Sequence, residues 1–227
     1  MALKKIKKTI SQGLQDVMTQ RLNAGHTGYE GDAIKWTGET SCVITPKRDT
    51  TLLAAGNDPA WDEVDGPVTA DVELKLYSLP LEEMPQLLGV RYSSADGVCV
   101  GDSEDSTPYM ALSLNTKVKT SEERPSYNKL IAYKVRFDLP EVNLKTIAEG
   151  DNAVADVTLK GKAYPVFFTK TDGSEGSRTY CIVNSIKNAA KYKANEEGIV
   201  YPTEMTPDVN TDAAKEPDTN KGTDNKE

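Results

Sequence analysis

Hydrophobic and polar residues alternate along several segments of the chain. Between residues 71 and 76, the apolar Val72, Leu74 and Leu76 alternate with Asp71, Glu73 and Lys75. A period of two places the apolar side chains on one face of a β-strand and the charges on the other. This pattern predicts a strand with one face in a core and one face toward water or a partner subunit.

The clearest strand is predicted over Tyr127–Leu139. The positions predicted to share its buried face are Ile131, Tyr133, Val135, Phe137 and Leu139. Shorter strands are predicted over residues 34–45, 98–100, 110–114 and 155–159, and a hairpin is predicted to pair Tyr164–Phe168 with Tyr180–Ile186. Together these segments predict a mainly β fold, either a β-sandwich or a small barrel of two packed sheets.

Helical spacing is confined to two segments. Leu81, Met84, Leu87 and Leu88 fall on one helical face, and Gly89 stands where a left-handed helix end favours glycine. Pro85 interrupts that pattern and favours two short turns over one helix. A weaker pattern predicts a second helix over residues 11–22, so one or two short helices are expected beside the sheets.

The segment from Pro46 to Pro67 has little regular pattern and is predicted to be a long loop. It carries three large apolar residues, Leu52, Leu53 and Trp61. Such side chains must be buried, either on their own domain or on a partner. They are therefore the candidate inter-subunit contacts, and both alternatives remain open for Trp61.

Composition divides the chain into three parts. Residues 1–33 are predicted to form an N-terminal arm or helix, residues 34–192 a β-domain, and residues 193–227 a disordered acidic tail. The tail prediction rests on residues 203–227, which contain seven acids, three lysines and no aromatic residue. The net charge of -8 and the pI near 4.9 argue against a DNA-grasping protein, which would normally carry a basic surface. No apolar run approaches the ~20 residues of a membrane span.

No motif indicates catalysis or a bound cofactor. The only histidine is His26, in a glycine-flanked polar loop, and no nucleophile motif accompanies it. The acidic loop of Asp102, Glu104 and Asp105 lacks the spacing of a calcium loop. Three distant cysteines without a C-x-x-C pair suggest reduced thiols. We therefore predict no catalytic, cofactor or metal site, and a protein that is not an enzyme.

An ordered set of short motifs runs through Gly66–Leu114. These motifs are Asp71-Val72-Glu73-Leu74, Leu79-Pro80-Leu81, Leu87-Leu88-Gly89, Asp96-Gly97-Val98 and Pro108-Tyr109-Met110-Ala111-Leu112. The order and spacing resemble the phi13-type major tail proteins of long-tailed bacteriophages, and a weaker resemblance continues from Tyr127 to Tyr164.

The resemblance implies a structural virion protein, the major tail or tail tube subunit. Such subunits form hexameric rings that stack into a hollow tube, through which DNA passes from the capsid to the host cell without specific binding. It further implies that a long loop between early strands reaches a neighbouring subunit. The implied partners are copies of the chain itself and the tape measure, tail terminator and distal tail proteins. Assembly in the bacterial cytoplasm and a place in the virion tail would follow. The alternative is a soluble β-sandwich binding module that recognises protein or glycan.

Overall fold

The computed structural model of the chain describes residues 9–55, 58–120, 126–142 and 157–204. These residues form thirteen strands and two short helices. In chain order they are β1 (Thr9–Leu22), β2 (Tyr29–Lys35), β3 (Glu39–Ala55), β4 (Asp58–Leu76), α1 (Met84–Leu88), β5 (Arg91–Ser93), β6 (Val98–Val100), β7 (Met110–Thr120), β8 (Ser126–Phe137), β9 (Glu141–Val142), β10 (Val157–Ala163), β11 (Val166–Thr169), β12 (Glu175–Arg178), β13 (Tyr180–Asn184) and α2 (Ala189–Ala194). The fold is mainly β, with 59% strand and 7% helix, which confirms the predicted class of packed antiparallel sheets with two short helices.

Most strands belong to one antiparallel sheet in the order β2-β1-β7-β8-β10-β4-β3. The first half of β8 also pairs with β13, and β10 also pairs with β9. Two small hairpins, β5–β6 and β11–β12, stand apart from this sheet. The edge strands of the sheet path are therefore β2 and β3.

A single apolar cluster draws residues from distant parts of this strand order. Val17 of β1 and Val72 of β4 are both buried in it, although three strands, β7, β8 and β10, separate β1 from β4 in the sheet order. Trp36 follows β2 and joins the same cluster, where its backbone N–H donates to the Val17 carbonyl at 2.9 Å and its indole N–H to the Thr19 hydroxyl at 2.9 Å. The sheet must therefore fold over so that its two halves pack face to face.

The helix predicted over residues 11–22 is wrong, because this segment is β1, which pairs with β2 on one side and β7 on the other. Gly13 and Asp16 have left-handed backbone angles, with φ of 70° and 49°. The pairing of β1 with β7 shifts register close to both residues. Each bulge moves the next apolar residue to a new face, and the result imitates helical spacing.

The strand predicted over Tyr127–Leu139 is confirmed as β8, but its single buried face is wrong. Ile131 and Tyr133 pack in a second apolar cluster, while Val135 and Phe137 belong to the first. The register with β7 shifts at this point, since Leu112 faces Ala132 and Met110 faces Val135. One extra residue in β8 reverses the faces, so one strand contributes to two cores. Leu139, predicted to be buried, is 71% exposed.

The segment around Pro85 forms one short helix. Pro85 stands in its first turn, where a missing N–H is tolerated, and therefore does not interrupt it. Gly89 ends the helix with φ of 75°, as predicted from its position. A Cβ at Gly89 would also lie 2.2 Å from the Ser106 carbonyl oxygen, so glycine is required here by space as well as by backbone angle.

The hairpin predicted between Tyr164–Phe168 and Tyr180–Ile186 is wrong in its pairing. β11 pairs with β12 across a tight turn, in which Gly173 has φ of 82°. β13 pairs instead with β8. The turn residues were recognisable in the sequence, whereas the choice of partner depends on contacts remote in the chain.

The C-terminal segment up to Glu204 packs on the sheet, so the tail predicted from residue 193 starts too early. Ile199 is buried and its N–H donates to the Gln20 side chain at 2.9 Å. The buried Lys129 ammonium donates to the Asn195 carbonyl, and burial lowers the pKa of this lysine. Residues 205–227, which carry most of the predicted tail, lie outside the described residues.

Candidate assembly surface

The described residues of the segment 46–69, which are 46–55 and 58–69, form a two-stranded arm and not the predicted loop. β3 and β4 pair antiparallel from Glu39–Leu76 at the base to Ala55–Asp58 near the tip. β10 accompanies β4 only as far as Ala70. The next nine residues of β3 pair with β4 alone, and at ~3.3 Å per residue this extends the ribbon by about 30 Å. We call residues 46–69 the arm.

The sequence concealed this hairpin for a physical reason. Every described side chain of β3 from Thr45 to Leu53 is exposed, so neither face of the ribbon is buried in its own domain. Alternation marks a strand only where one face is buried, and the arm lacks that signal. Pro46 lies on the edge strand β3, where a missing N–H is tolerated, so it does not end the strand as a sequence pattern suggests.

The candidate contact residues lie in the distal part of the arm. Leu52 is 54% exposed and Leu53 is 39% exposed. Leu52 faces Glu63 across the ribbon and Leu53 faces Asp62, so the two leucines lie on opposite faces. Trp61 belongs to β4, while its side chain lies outside the described part of the chain. The two leucines are therefore not buried within their own domain, and they remain accessible for contact with a partner.

Val64 was missed by the sequence reasoning. It is 50% exposed and pairs with Thr51, two residues from Leu53 on the same strand. The period of two therefore places Leu53 and Val64 on one face of the ribbon. The sequence signal that could have found Val64 is an apolar residue placed directly between two acids, Glu63 and Asp65.

Polar contacts hold the proximal arm. The Arg48 guanidinium donates to Asp65 at 2.9 Å, and the Thr50 hydroxyl donates to the other oxygen of the same carboxylate at 3.2 Å. A Cβ at Gly66 would lie 2.9 Å from the Asp49 carbonyl oxygen, so glycine allows the two strands to approach at this point. These contacts fix the direction of the ribbon where it leaves the sheet.

His26 lies beside a cationic and aromatic cluster, and it is only partly buried. The Lys134 ammonium contacts its Nδ1 at 3.1 Å, and Tyr109 packs against its ring at 4.9 Å between centroids. Burial, and then the Lys134 charge, lower the pKa of His26. A neutral ring accepts the Lys134 hydrogen bond, which gives His26 a structural role.

The acidic loop is tied to its own hairpin. Asp102 pairs with Arg91, and its backbone N–H donates to the Asp105 carboxylate at 2.6 Å. Within the described residues no group of three metal-ligating side chains comes together. All three cysteines are free thiols, and burial raises the pKa of Cys42 to about 12.

No model of a known protein family and no curated protein matches the chain. Among the described residues, no helix has the length and apolar character needed to cross a bilayer.

Proposed function

We propose that the chain is a structural assembly subunit, the tail tube protein of a long-tailed bacteriophage. Its task would be to form hexameric rings that stack into a tube for DNA. The observation that carries the proposal is the arm, an exposed two-stranded ribbon with Leu52, Leu53 and Val64 directed into solvent. An isolated two-stranded hairpin is only marginally stable in water, and apolar residues that protrude on it favour burial on a second molecule.

The strand edges support the same proposal. β3 is an edge strand over its whole length, and its outward backbone groups pair with no other strand of the described residues. Such an edge invites pairing with another chain unless something covers it. A closed ring of subunits would cover edges of this kind, because a head-to-tail contact that closes by rotation leaves none of them free.

The resemblance of Gly66–Leu114 to major tail proteins supplies the particular assembly. The described part of this stretch contains the distinctive β4–α1 connection, the Leu87-Leu88-Gly89 helix end and the start of β7. We propose the corresponding partners, which are the chain itself and the tape measure, terminator and distal tail proteins. The protein would be located in the virion tail. Its role would be structural and would not involve catalysis.

The experiment compares assembly of the purified wild type with that of the double variant Leu52→Thr/Leu53→Thr. Both leucines are exposed and threonine suits a strand, so the unfolding free energy of the monomer should stay within about 0.5 kcal/mol of that of the wild type. Sedimentation and negative-stain microscopy should detect rings or tubes for the wild type and none for the variant. Ile186→Thr is the matched control, because Ile186 is 54% exposed but lies outside the arm.

Two results would overturn the proposal. One is that the double variant forms tubes at the same protein concentration as the wild type. The other is a wild type that stays monomeric at every concentration and binds a protein or glycan, as the binding-module alternative requires.

The role of Trp61 stays a prediction. If Trp61 packs within its own domain, Trp61→Ala should destabilise the monomer by roughly 3–5 kcal/mol. If it packs on a neighbour, the monomer should melt almost unchanged while polymerisation fails. Calorimetry of the unassembled protein and sedimentation of the polymer separate the two cases, and a destabilised monomer that still forms normal tubes would exclude Trp61 from the assembly contact.

A further inference from the structure

Four cations share one face of the sheet at the base of the arm. Arg136 of β8 and Lys162 of β10 are direct cross-strand partners. Lys160 lies two residues from Lys162 on β10, and Lys134 and Arg136 both lie over the Tyr109 ring, at 4.5 Å and 5.9 Å from its centroid, so all four share one face. Arg136, Lys160 and Lys162 are exposed, and Lys134 is partly buried. We call these four residues the cationic patch.

Three carboxylates lie beside the patch. Asp71 of β4 is opposite Lys162, Glu73 of β4 is opposite Lys160, and Asp138, which follows β8, donates its backbone N–H to the Lys160 carbonyl at 2.7 Å. Asp71 pairs with Lys47, however, and Glu73 lies 3.3 Å from the Lys75 ammonium. Within the described part of the chain, none of the four patch cations forms an ion pair with a carboxylate. The patch therefore keeps an excess of positive charge in a chain whose net charge is -8.

The distal arm has the opposite charge. Residues 51–64 contain three acids and no lysine or arginine. Two of the three, Asp62 and Glu63, are exposed beside the two leucines. The far end of the arm is thus both acidic and apolar.

The arm cannot reach the patch of its own molecule. The patch lies beside residues 70–73 of β4, and the arm continues from this point away from β10, paired along its length with β3. Its tip therefore lies about 30 Å from its base, given ~3.3 Å per residue. The complementary charges can meet only between two copies of the chain.

We propose that the cationic patch is the docking site for the distal arm of a second copy. This inference rests on the proposed function, since it identifies the surface that receives the arm in the polymer. A shallow groove of about 510 Å³ runs along the same face, and its lining includes the two patch lysines, the carboxylates Asp71, Glu73 and Asp138, and Val43, which is 53% exposed. The acid on the docked face of the arm would meet Lys160 and Lys162, and the leucine that faces this acid across the ribbon would contact Val43.

In the proposed tube the contact runs head-to-tail, with the arm of each copy on the patch of the next copy. Each copy that presents a distal arm leaves its own patch free for another copy, so the contact propagates. Attraction between exposed charges weakens once the Debye length falls from about 10 Å at 0.1 M salt to about 3 Å at 1 M. Assembly should therefore weaken with salt. Coverage by the arm also removes the patch from contact with a passing polyanion.

Charge reversal on each side, and on both together, tests the proposal. Lys160→Glu/Lys162→Glu and Asp62→Lys/Glu63→Lys should each raise the critical concentration for assembly at least about tenfold, since like charges then face each other. The variant with all four substitutions should return to within about threefold of the wild type. Lys187→Glu/Lys193→Glu, at exposed positions near α2, is the control for net charge.

The outcomes separate this inference from the proposed function. If the wild-type protein never polymerises, both the proposed function and the docking site are refuted. If the wild type polymerises and the charge-reversal variants assemble equally well, the docking site alone is refuted. The same holds if the variant with all four substitutions does not recover assembly. Retention of the wild-type protein on duplex DNA at low salt, lost in Lys160→Glu/Lys162→Glu while assembly is intact, would also overturn the proposal, because the patch would then serve a polyanion. Melting curves of the monomers check that each variant is folded.

Discussion

The seam between β8 and β10 should be a point at which one added methyl group disturbs the fold. Three residue pairs join these strands, Gly161–Phe137, Lys162–Arg136 and Ala163–Val135, and one backbone hydrogen bond flanks them at each end. This short ladder connects the two halves of the sheet. A Cβ at Gly161 would lie 2.4 Å from the Arg136 carbonyl oxygen and 3.0 Å from the Phe137 Cα. Both atoms belong to the backbone, so no side-chain rotation relieves the overlap.

The magnitude follows from these distances. Gly161→Ala forces β8 and β10 apart at a short ladder, and overpacking of this kind costs about 1–3 kcal/mol, with a backbone clash toward the upper end. Lower entropy of the unfolded chain offsets about 0.4–1 kcal/mol. We expect a net loss of about 2 kcal/mol. At ~2–4 °C per kcal/mol for a domain of this size, the melting temperature should fall by roughly 4–8 °C.

The assay is thermal unfolding of the unassembled protein, monitored by circular dichroism or calorimetry. The protein concentration is kept below the concentration at which assembly begins. Gly25→Ala is the matched control, because the atom nearest to a Cβ at Gly25 would be the Thr27 hydroxyl oxygen at 3.6 Å, an ordinary van der Waals distance. The control should melt as the wild type does. A Gly161→Ala protein that melts within 1 °C of the wild type, or above it, would refute the reasoning that glycine is needed at this seam.

Three further outcomes follow from the described residues. Truncation after Glu204 should leave the melting temperature unchanged, whereas truncation after Glu197 should lower stability by about 2–3 kcal/mol, because it removes the buried Ile199; equal melting of the two would contradict the packing of this segment. The pKa of His26 is lowered from 6.5, so the unfolded chain binds the proton more readily, and stability should decrease as the pH falls through and below 6.5. In thermal melts between pH 5 and 7.5, His26→Asn should reduce this loss of stability at low pH. A proton NMR titration of the single histidine gives its pKa directly, and an unshifted pKa would contradict the contact with Lys134. Cys42, whose pKa is raised to about 12 by burial, should react with a disulfide reagent at pH 8 at least about a hundredfold more slowly in the native protein than in the unfolded one.

The candidate site was only partly visible in the sequence. Leu52, Leu53 and Trp61 drew attention because large apolar residues in an irregular segment need a burial place. The ribbon that presents the two leucines to solvent was not visible, since both of its faces are exposed and no alternation results. The cationic patch was invisible for another reason. Lys134 and Arg136 are separated from Lys160 and Lys162 by more than twenty residues, and only the β8–β10 pairing makes them neighbours.

By itself, the sequence determined the local features that have a local cause. The alternation over residues 71–76 comes from one buried face, and Gly89 ends α1 because its left-handed angle suits glycine. Tertiary structure decided the rest. Bulges in β1 and β8 reverse the faces of these strands, and pairing across the sheet selects β8 as the partner of β13. Such choices depend on contacts between residues far apart in the chain, and periodicity within one segment carries no information about them.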